Sequence, residues 1–239
     1  MSWLGLDFGS TNLKAALFNQ GKLEKKIGKI NFTEPLSDDL KDSFDSILLS
    51  SSKSEGTTNA LLGGLNLNKK IIKVSDVFSE EDSGVYDYGE PSFGEDRRLY
   101  FLALRDMFND SNFGVVSLGT VCTFSVWQKN IFCGGHLFPG RTSIYNTLGR
   151  VTSLEEVEPN EYMSFGAGSS CISSVRCGID MGWLAMIDSL RQYYDSNIDK
   201  INWIITGGDY DSIAKHIASN YRHEPDLLWH GMEVLISEL

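Results

Sequence analysis

Apolar and polar positions follow a strand-like pattern first and a helix-like pattern later. Leu4-Gly5-Leu6 is apolar and runs into Asp7-Phe8-Gly9, and Leu13 to Phe18 is a second apolar run. Short apolar runs bounded by Gly and Asn predict buried strands. Asn19-Gln20-Gly21-Lys22 predicts a turn into a third, loosely alternating strand over Lys22 to Phe32. These three strands make an antiparallel meander. Asp38 to Ser46 is polar and compatible with a helix, Ser46 to Leu49 and Lys69 to Val74 predict strands, and Thr57 to Leu65 predicts a helix capped by Thr57 or Thr58. Residues 75–95 form a long acidic, Gly-rich connection, a class that is usually functional or disordered. Leu99, Leu102, Ala103 and Phe108 give Arg97 to Asn109 a helical period.

The opening pattern then returns. Val115 to Thr120, Thr123 to Trp127 and Ile131 to Leu137 predict a second meander, with Gln128-Lys129-Asn130 as a turn. Thr142 to Val151 predicts a helix. Ser173 to Tyr194 predicts a longer one, in which Gly178 and Gly182 would allow close packing. A strand at Asn202 to Ile205 ends in Thr206-Gly207-Gly208-Asp209, and helices follow at Ser212 to Ala218 and Met232 to Leu239. The repeat predicts two α/β domains, 1–112 and 113–239, with a nucleotide cleft between them.

Composition narrows the partners. A hydrophobic fraction of 41% in 239 residues supports a sizeable core, and a net charge of −11 argues against nucleic acid as a main partner. No apolar run approaches the roughly 20 residues of a membrane span. The start lacks the basic and apolar regions of a signal peptide, so no membrane association and a cytoplasmic location are expected. Cys122, Cys133, Cys171 and Cys177 show no metal spacing and read as reduced thiols. His216, His223 and His230 are spaced by sevens, but Pro225 interrupts any shared helix, so they read as surface or locally satisfied.

Two stretches carry candidate chemistry. Asp7 to Lys14 delivers a carboxylate, a Gly turn, two hydroxyls, an amide and a Lys. Backbone N–H groups and hydroxyls can meet phosphate oxygens, while the Asp would hold Mg²⁺ or a water. A plain hairpin turn with a polar tip is the alternative. The second stretch, Tyr88 to Arg97, ends in Gly94-Glu95-Asp96-Arg97 at the start of a helix. Asp96 there could orient a hydroxyl and take its proton late in a phosphoryl transfer, and Arg97 could fork onto a substrate carboxylate. An N-capping Asp beside a surface Arg is the other reading. No GxxxxGK[ST], GxSxG or HExxH motif is present.

Taken together, these stretches resemble the type III pantothenate kinase family. The DxGNTxxK-like opening stands as Asp7-Phe8-Gly9-Ser10-Thr11-Asn12-Leu13-Lys14. The YxxPxxxGxDR-like block is seen as Tyr88, Pro91, Gly94, Asp96 and Arg97. The DxGT, GGxIxPG and TGGD segments stand as Ser117 to Thr120, Gly134 to Gly140 and Thr206 to Asp209. The Ser50-Ser51-Ser52 strand end and Gly231-Met232-Glu233 are similar too.

The resemblance implies two ribonuclease-H-like, actin-like ATPase domains in a homodimer. It implies ATP-dependent phosphorylation of pantothenate at its primary hydroxyl with Mg²⁺, the first step to coenzyme A. By position, Asp7 would hold metal, and the run Phe8, Gly9, Ser10, Thr11, Asn12, Leu13 and Lys14 would line the phosphate path. Gly119 and Thr120 would form a second phosphate turn, and Thr206, Gly207 and Gly208 would lie near the nucleotide. Asp96 would be the catalytic base, and Tyr88, Gly94, Glu95, Arg97 and Cys171 would contact pantothenate.

Three positions depart from the pattern. Ser117 replaces the DxGT Asp, Ser125 replaces an acidic residue, and Cys171 stands where a Thr is expected. Neutral hydroxyls weaken a site for metal or for a monovalent cation (K⁺ or NH₄⁺). A binding or regulatory protein without turnover, or a kinase for another small hydroxy acid, therefore stays open as an alternative.

Overall fold

The computed structural model describes residues 1–29, 36–65, 68–86, 93–151, 157–217 and 219–239. In chain order the first half holds β1 (Ser2–Phe8), β2 (Leu13–Asn19), β3 (Lys22–Lys29), α1 (Asp38–Lys41), β4 (Ser46–Ser51), α2 (Glu55–Leu65), β5 (Lys70–Lys73), α3 (Val74–Val77) and α4 (Glu95–Phe108). The second holds β6 (Asn112–Leu118), β7 (Val121–Gln128), β8 (Ile131–Pro139), α5 (Arg141–Val151), α6 (Cys171–Asn197), β9 (Ile201–Thr206), α7 (Tyr210–Ile213), β10 (Tyr221–His223) and α8 (Leu227–Glu238). The chain divides into two compact units, Met1–Asn109 with Asp226–Leu239, and Asp110–Pro225.

The first unit is built on a sheet of order β3-β2-β1-β4-β5. β1, β2 and β3 are antiparallel, and β4 and β5 run parallel to β1. Gln20 and Gly21, at φ 51° and 76°, make the tight turn whose twist matches a hairpin. Leu4, Leu6 and Phe8 point to one face and join Leu13, Ile47 and Leu49 in the core. On the other face Gly5 admits α8, because a Cβ there would lie 2.6 Å from the Phe18 ring and 2.8 Å from Met232 Sδ.

The terminal helix begins at Leu227, five residues before the expected Met232, and belongs to the first unit. The expected division had grouped it with the second half. Its apolar face decides the matter: Trp229 packs on Phe18 at 6.3 Å between ring centroids, and Gly231 lies against the Leu99 backbone of α4. Gly231→Ala is expected to push α8 off α4 and cost about 1–3 kcal/mol. Gly63→Ala, in open space on α2, should be neutral or stabilising. Urea unfolding of the two variants checks the contrast.

The second unit repeats the plan. Its sheet has the order β10-β9-β6-β7-β8, with β6, β7 and β8 antiparallel and β9 and β10 parallel to β6. This is the ribonuclease-H-like arrangement, present once in each unit. Val116, Leu118, Cys122, Phe124 and Val126 pack against Trp183, Leu184, Ile187 and Tyr194 of α6.

Several local expectations are corrected. Gly178 and Gly182 do not mediate packing; both face open space, because α6 buries Cys177, Asp180, Trp183 and Leu184 instead. The α2 helix starts at Glu55 rather than at Thr57, and Ser54 Oγ takes the Thr57 N–H at 3.4 Å. The polar 38–46 stretch is helical only over Asp38–Lys41. The 75–95 connection contains α3 and a 3₁₀ turn at Glu81–Ser83. The helix expected over Ser212 to Ala218 is the single turn Tyr210–Ile213. Strand β10 is too short to show a period in sequence.

The histidines are locally satisfied: His230 bonds Asp106 at 2.8 Å, His223 stacks on Tyr210 and His216 packs on Phe165. All four thiols are free. No helix among the described residues is long and apolar enough to cross a membrane.

Candidate active site

Asp7 sits at the end of β1, in register with Lys14 of β2 and Ser50 of β4. Strand alternation sends Phe8 and Leu13 into the core, where both are fully buried. Only their backbones can take part in a phosphate turn. Asp7 is only 8% exposed. Burial, reinforced by the charge of Asp96 and opposed by Lys14, pushes its pKa up to about 7. Gly9 leaves the turn narrow, since a Cβ there would come within 3.2 Å of Asn12 O. Ser10, Thr11 and Lys14 are exposed at its rim, and Asn12 is partly so.

Asp96 is brought to the same place by α4, so the sequence-predicted phosphate turn and base lie in one unit and in each other's field. Gly94 precedes α4, and Asp96 is the second helical residue rather than the cap. Its carboxylate accepts its own backbone N–H and that of Arg97, folding back over the helix start. Gly94 makes room for this, because a Cβ there would lie 2.7 Å from Asp96 Oδ1. Burial raises the Asp96 pKa, with the Arg97 charge and the N–H bonds opposing.

Arg97 is 4% exposed, not a surface residue, and its guanidinium lies 4.0 Å from the Phe93 ring centroid. Glu95 turns its carboxylate to the Ser51 N–H at 2.9 Å. Tyr88 lies outside the described residues.

Sequence reasoning passed over Arg98. Its side chain bonds Phe93 O at 3.1 Å, Phe78 O at 3.0 Å and Glu80 Oε1 at 3.2 Å, while Glu80 Oε1 also takes the Phe93 N–H at 2.7 Å. This network ties the described ends of the acidic connection to the helix that carries Asp96. Helical spacing could flag a buried Arg98, but not its distant partner.

In the second unit, Ser117 pairs with Thr123 and Thr206 in one row across three strands. The adjoining Gly119-Thr120 turn is held from three sides. Thr120 O accepts the Gly140 N–H at 2.9 Å and the Ser143 hydroxyl at 2.7 Å. Gly140 lies so close to Gly119 O that no Cβ would fit. Gly207, at φ +105°, crosses the Leu118 backbone with the same lack of room, and Asp209 N donates to Leu118 O at 3.2 Å. The two predicted turns of this unit therefore meet at one end of its sheet. Thr206 is buried at the strand end, and Gly208 faces open space. Cys171 is the first, exposed residue of α6, after a Ser170–Ser173 capping box.

This geometry fits the comparisons with known proteins. Residues 3–192 match the family described as type III pantothenate kinase. The chain belongs to that family. A type III pantothenate kinase of Flavobacterium johnsoniae is 27% identical over 231 residues, covering 90% of this chain and 88% of the relative. One from Christiangramia forsetii is 24% identical over 239 residues, covering 98% and 97%. Among solved structures, a conserved Baf family protein from Campylobacter jejuni superposes with a TM-score of 0.58 at 18% identity, over 98% of both chains. Component A of an Acidaminococcus fermentans (R)-2-hydroxyglutaryl-CoA dehydratase gives 0.50 at 10% identity, covering 98% of this chain and 95% of that one. These two share the α/β fold of this chain, with its two five-stranded sheets.

For a pantothenate kinase the donor sets can now be tested. No group of three His, Cys, Asp or Glu side chains among the described residues could cage a metal. The Asp7 and Asp96 carboxylates suit Mg²⁺ nonetheless, which takes one or two carboxylates and completes its shell from water and phosphate. The Ser117 and Ser125 positions do not suit a cation that needs charged oxygens. They lie with Thr123 on one sheet face, and Thr123 Oγ1 and Ser125 Oγ are buried with no hydrogen-bond partner among the described residues.

A second buried ion pair was not legible in sequence. Arg141 Nε and Nη2 fork onto Asp180 at 2.8 and 3.0 Å, and Tyr145 OH and Ser164 N complete that carboxylate at 3.0 and 2.7 Å. Asp180 is fully buried. Arg141→Met should cost about 3–5 kcal/mol by stranding it. Arg141→Met/Asp180→Leu should recover much of that loss in denaturant unfolding.

Proposed function

We propose that this protein transfers the γ-phosphoryl group of ATP to the primary hydroxyl of pantothenate, giving 4′-phosphopantothenate and ADP, the first step of coenzyme A biosynthesis. The observation that carries the reading is the pair of inward-turned carboxylates, Asp7 on a Gly-hydroxyl turn and Asp96 at a helix start, in a chain of this family. Asp96 orients the substrate hydroxyl and accepts its proton as the bond to phosphorus forms. Phosphoryl transfer has a loose transition state, so positioning matters more than base strength.

Ser10, Thr11, Asn12 and Lys14 meet the phosphates, with Gly119 and Thr120 as a second turn and Thr206 to Gly208 near the nucleotide. Asp7 would hold Mg²⁺, directly or through water, and the metal would supply charge neutralisation on the phosphates. Arg97 faces the pantothenate carboxylate, while Tyr88, Gly94 and Cys171 contribute contacts. The working unit is a cytoplasmic homodimer, without nucleic acid or membrane as partner.

ADP release coupled to a dye or NADH readout tests the reading. Turnover should depend on pantothenate at millimolar ATP and be lost with other hydroxy acids. An absence of pantothenate-dependent ADP sinks it. Ser117 and Ser125, in place of carboxylates, favour a second reading, a binding protein without turnover. Calorimetry that finds pantothenate binding in a chain that releases no ADP supports that one.

A further inference from the structure

We propose that Lys53 and Glu95 are positioning residues that hold the phosphate turn and the Asp96 carboxylate to one shared support, the segment 50–54 at the C-terminal end of β4. The inference rests on the pantothenate kinase reading and extends it to residues that need not touch either substrate.

The support is itself fixed. Ser50 and Ser51 are in register with Asp7 and Phe8, and Phe8 O accepts both the backbone N–H and the hydroxyl of Ser52 at 3.1 Å. From it, one bond reaches the turn. Lys53 Nζ donates to Ser10 O at 3.0 Å. A turn that points N–H groups at phosphate must point carbonyls away, and Lys53 takes one of these while keeping positive charge near the phosphate path. Another bond reaches the base. Ser51 N donates to Glu95 Oε2 at 2.9 Å, and Glu95 immediately precedes Asp96. Inside the support, Lys53 N donates to Ser51 Oγ at 3.2 Å, and Ser51 Oγ pairs with Thr58 Oγ1 at 2.8 Å. A continuous set of hydrogen bonds thus runs from Ser10 to the residue beside Asp96.

This assigns Glu95 a role other than substrate contact, because its Oε2 is turned to the Ser51 backbone N–H. The strand and the helix do not depend on these bonds for folding. β1 is anchored by Leu4, Leu6 and Phe8, and α4 by Leu99, Phe101 and Leu102, all buried. Loss of the bonds should therefore appear in kinetics, where a shift of about 1 Å between reacting groups can cost on the order of a hundredfold.

The test uses the full chain and four variants: Lys53→Met, Glu95→Ala, Glu95→Gln and Lys53→Met/Glu95→Ala. It reads kcat, both KM values and amide hydrogen exchange at Ser51 and at residues 9–12. Lys53→Met should raise the KM for ATP about 3- to 10-fold, the loss of one hydrogen bond, with the KM for pantothenate little changed. Glu95→Ala should lower kcat by about tenfold or more and speed exchange at Ser51 N–H. Glu95→Gln keeps an acceptor for that N–H and should recover kcat to within about threefold with exchange slow.

Glu95→Gln as damaging as Glu95→Ala while Ser51 stays protected would overturn the proposal, since charge and not the tether would then matter. Unchanged kinetics in Lys53→Met and Glu95→Ala would overturn it as well. A wild-type chain without pantothenate-dependent ADP release defeats the functional reading instead. The exchange data then still decide the tether, which fails if Ser51 N–H exchanges equally in wild type and Glu95→Ala.

Discussion

Asp96→Asn lowers pantothenate-dependent ADP release by a factor of about 10² to 10⁴, the range expected for a positioned general base. The substitution is close to isosteric. The Asn side-chain oxygen can still accept the Arg97 N–H that the carboxylate accepts now, so the start of α4 stays in place. Gly94 leaves room for either side chain. What is removed is the proton acceptor and one negative charge. The thermal midpoint at pH 8 should be equal to or above wild type, because burial disfavours the ionised Asp96. The KM for ATP should move little. A variant keeping more than about a tenth of wild-type kcat rules out Asp96 as the base.

Asp7→Asn separates stability from activity. In the folded chain Asp7 titrates at about 7, against 3.8 for the free side chain. Between those values the folded state holds a proton that the unfolded state has lost, so stability falls as pH rises from about 4 to about 7. With 1.36 kcal/mol per unit of pKa, the fall attributable to this group reaches about 4 kcal/mol. Asn has no proton to lose. The variant should match wild type near pH 4 and exceed it at pH 8, while turnover drops by a hundredfold or more because the carboxylate proposed to hold the metal is gone. Denaturant unfolding from pH 4 to 8, without nucleotide or metal, reads the first effect, and the coupled assay reads the second. Near-normal turnover refutes the role of Asp7. Asp96, whose pKa burial also raises, leaves a remainder of the slope, so a slope as steep as that of wild type after the substitution refutes the burial account of Asp7. A chain that keeps a destabilising carboxylate is exchanging stability for function.

The predicted meanders were legible because tight turns mark them. Gln20-Gly21 and Lys129-Asn130 sit at positive φ between alternating strands, and that local chemistry shows in sequence. Asp7 and Asp96 were legible because a carboxylate beside a Gly turn or at a helix start is a local arrangement too. What escaped notice was long-range. Nothing near Arg98 names Glu80, nothing near Glu95 names Ser51, and nothing near Arg141 names Asp180, since each pair closes only after the chain has folded. The α6 glycines misled for a related reason. A small residue permits close approach, but only the tertiary arrangement decides whether a neighbour arrives.

The placement of α8 carries a consequence for biosynthesis. The second unit, Asp110–Pro225, is one uninterrupted stretch and can complete its core as soon as it leaves the ribosome. The first unit begins earlier in the chain yet must wait for Leu227–Glu238, which is made only after the whole second unit, before Phe18 and Leu99 are covered. Products of premature termination before Asp226 would expose that apolar face, which gives quality-control proteases a means of telling an unfinished enzyme from a finished one.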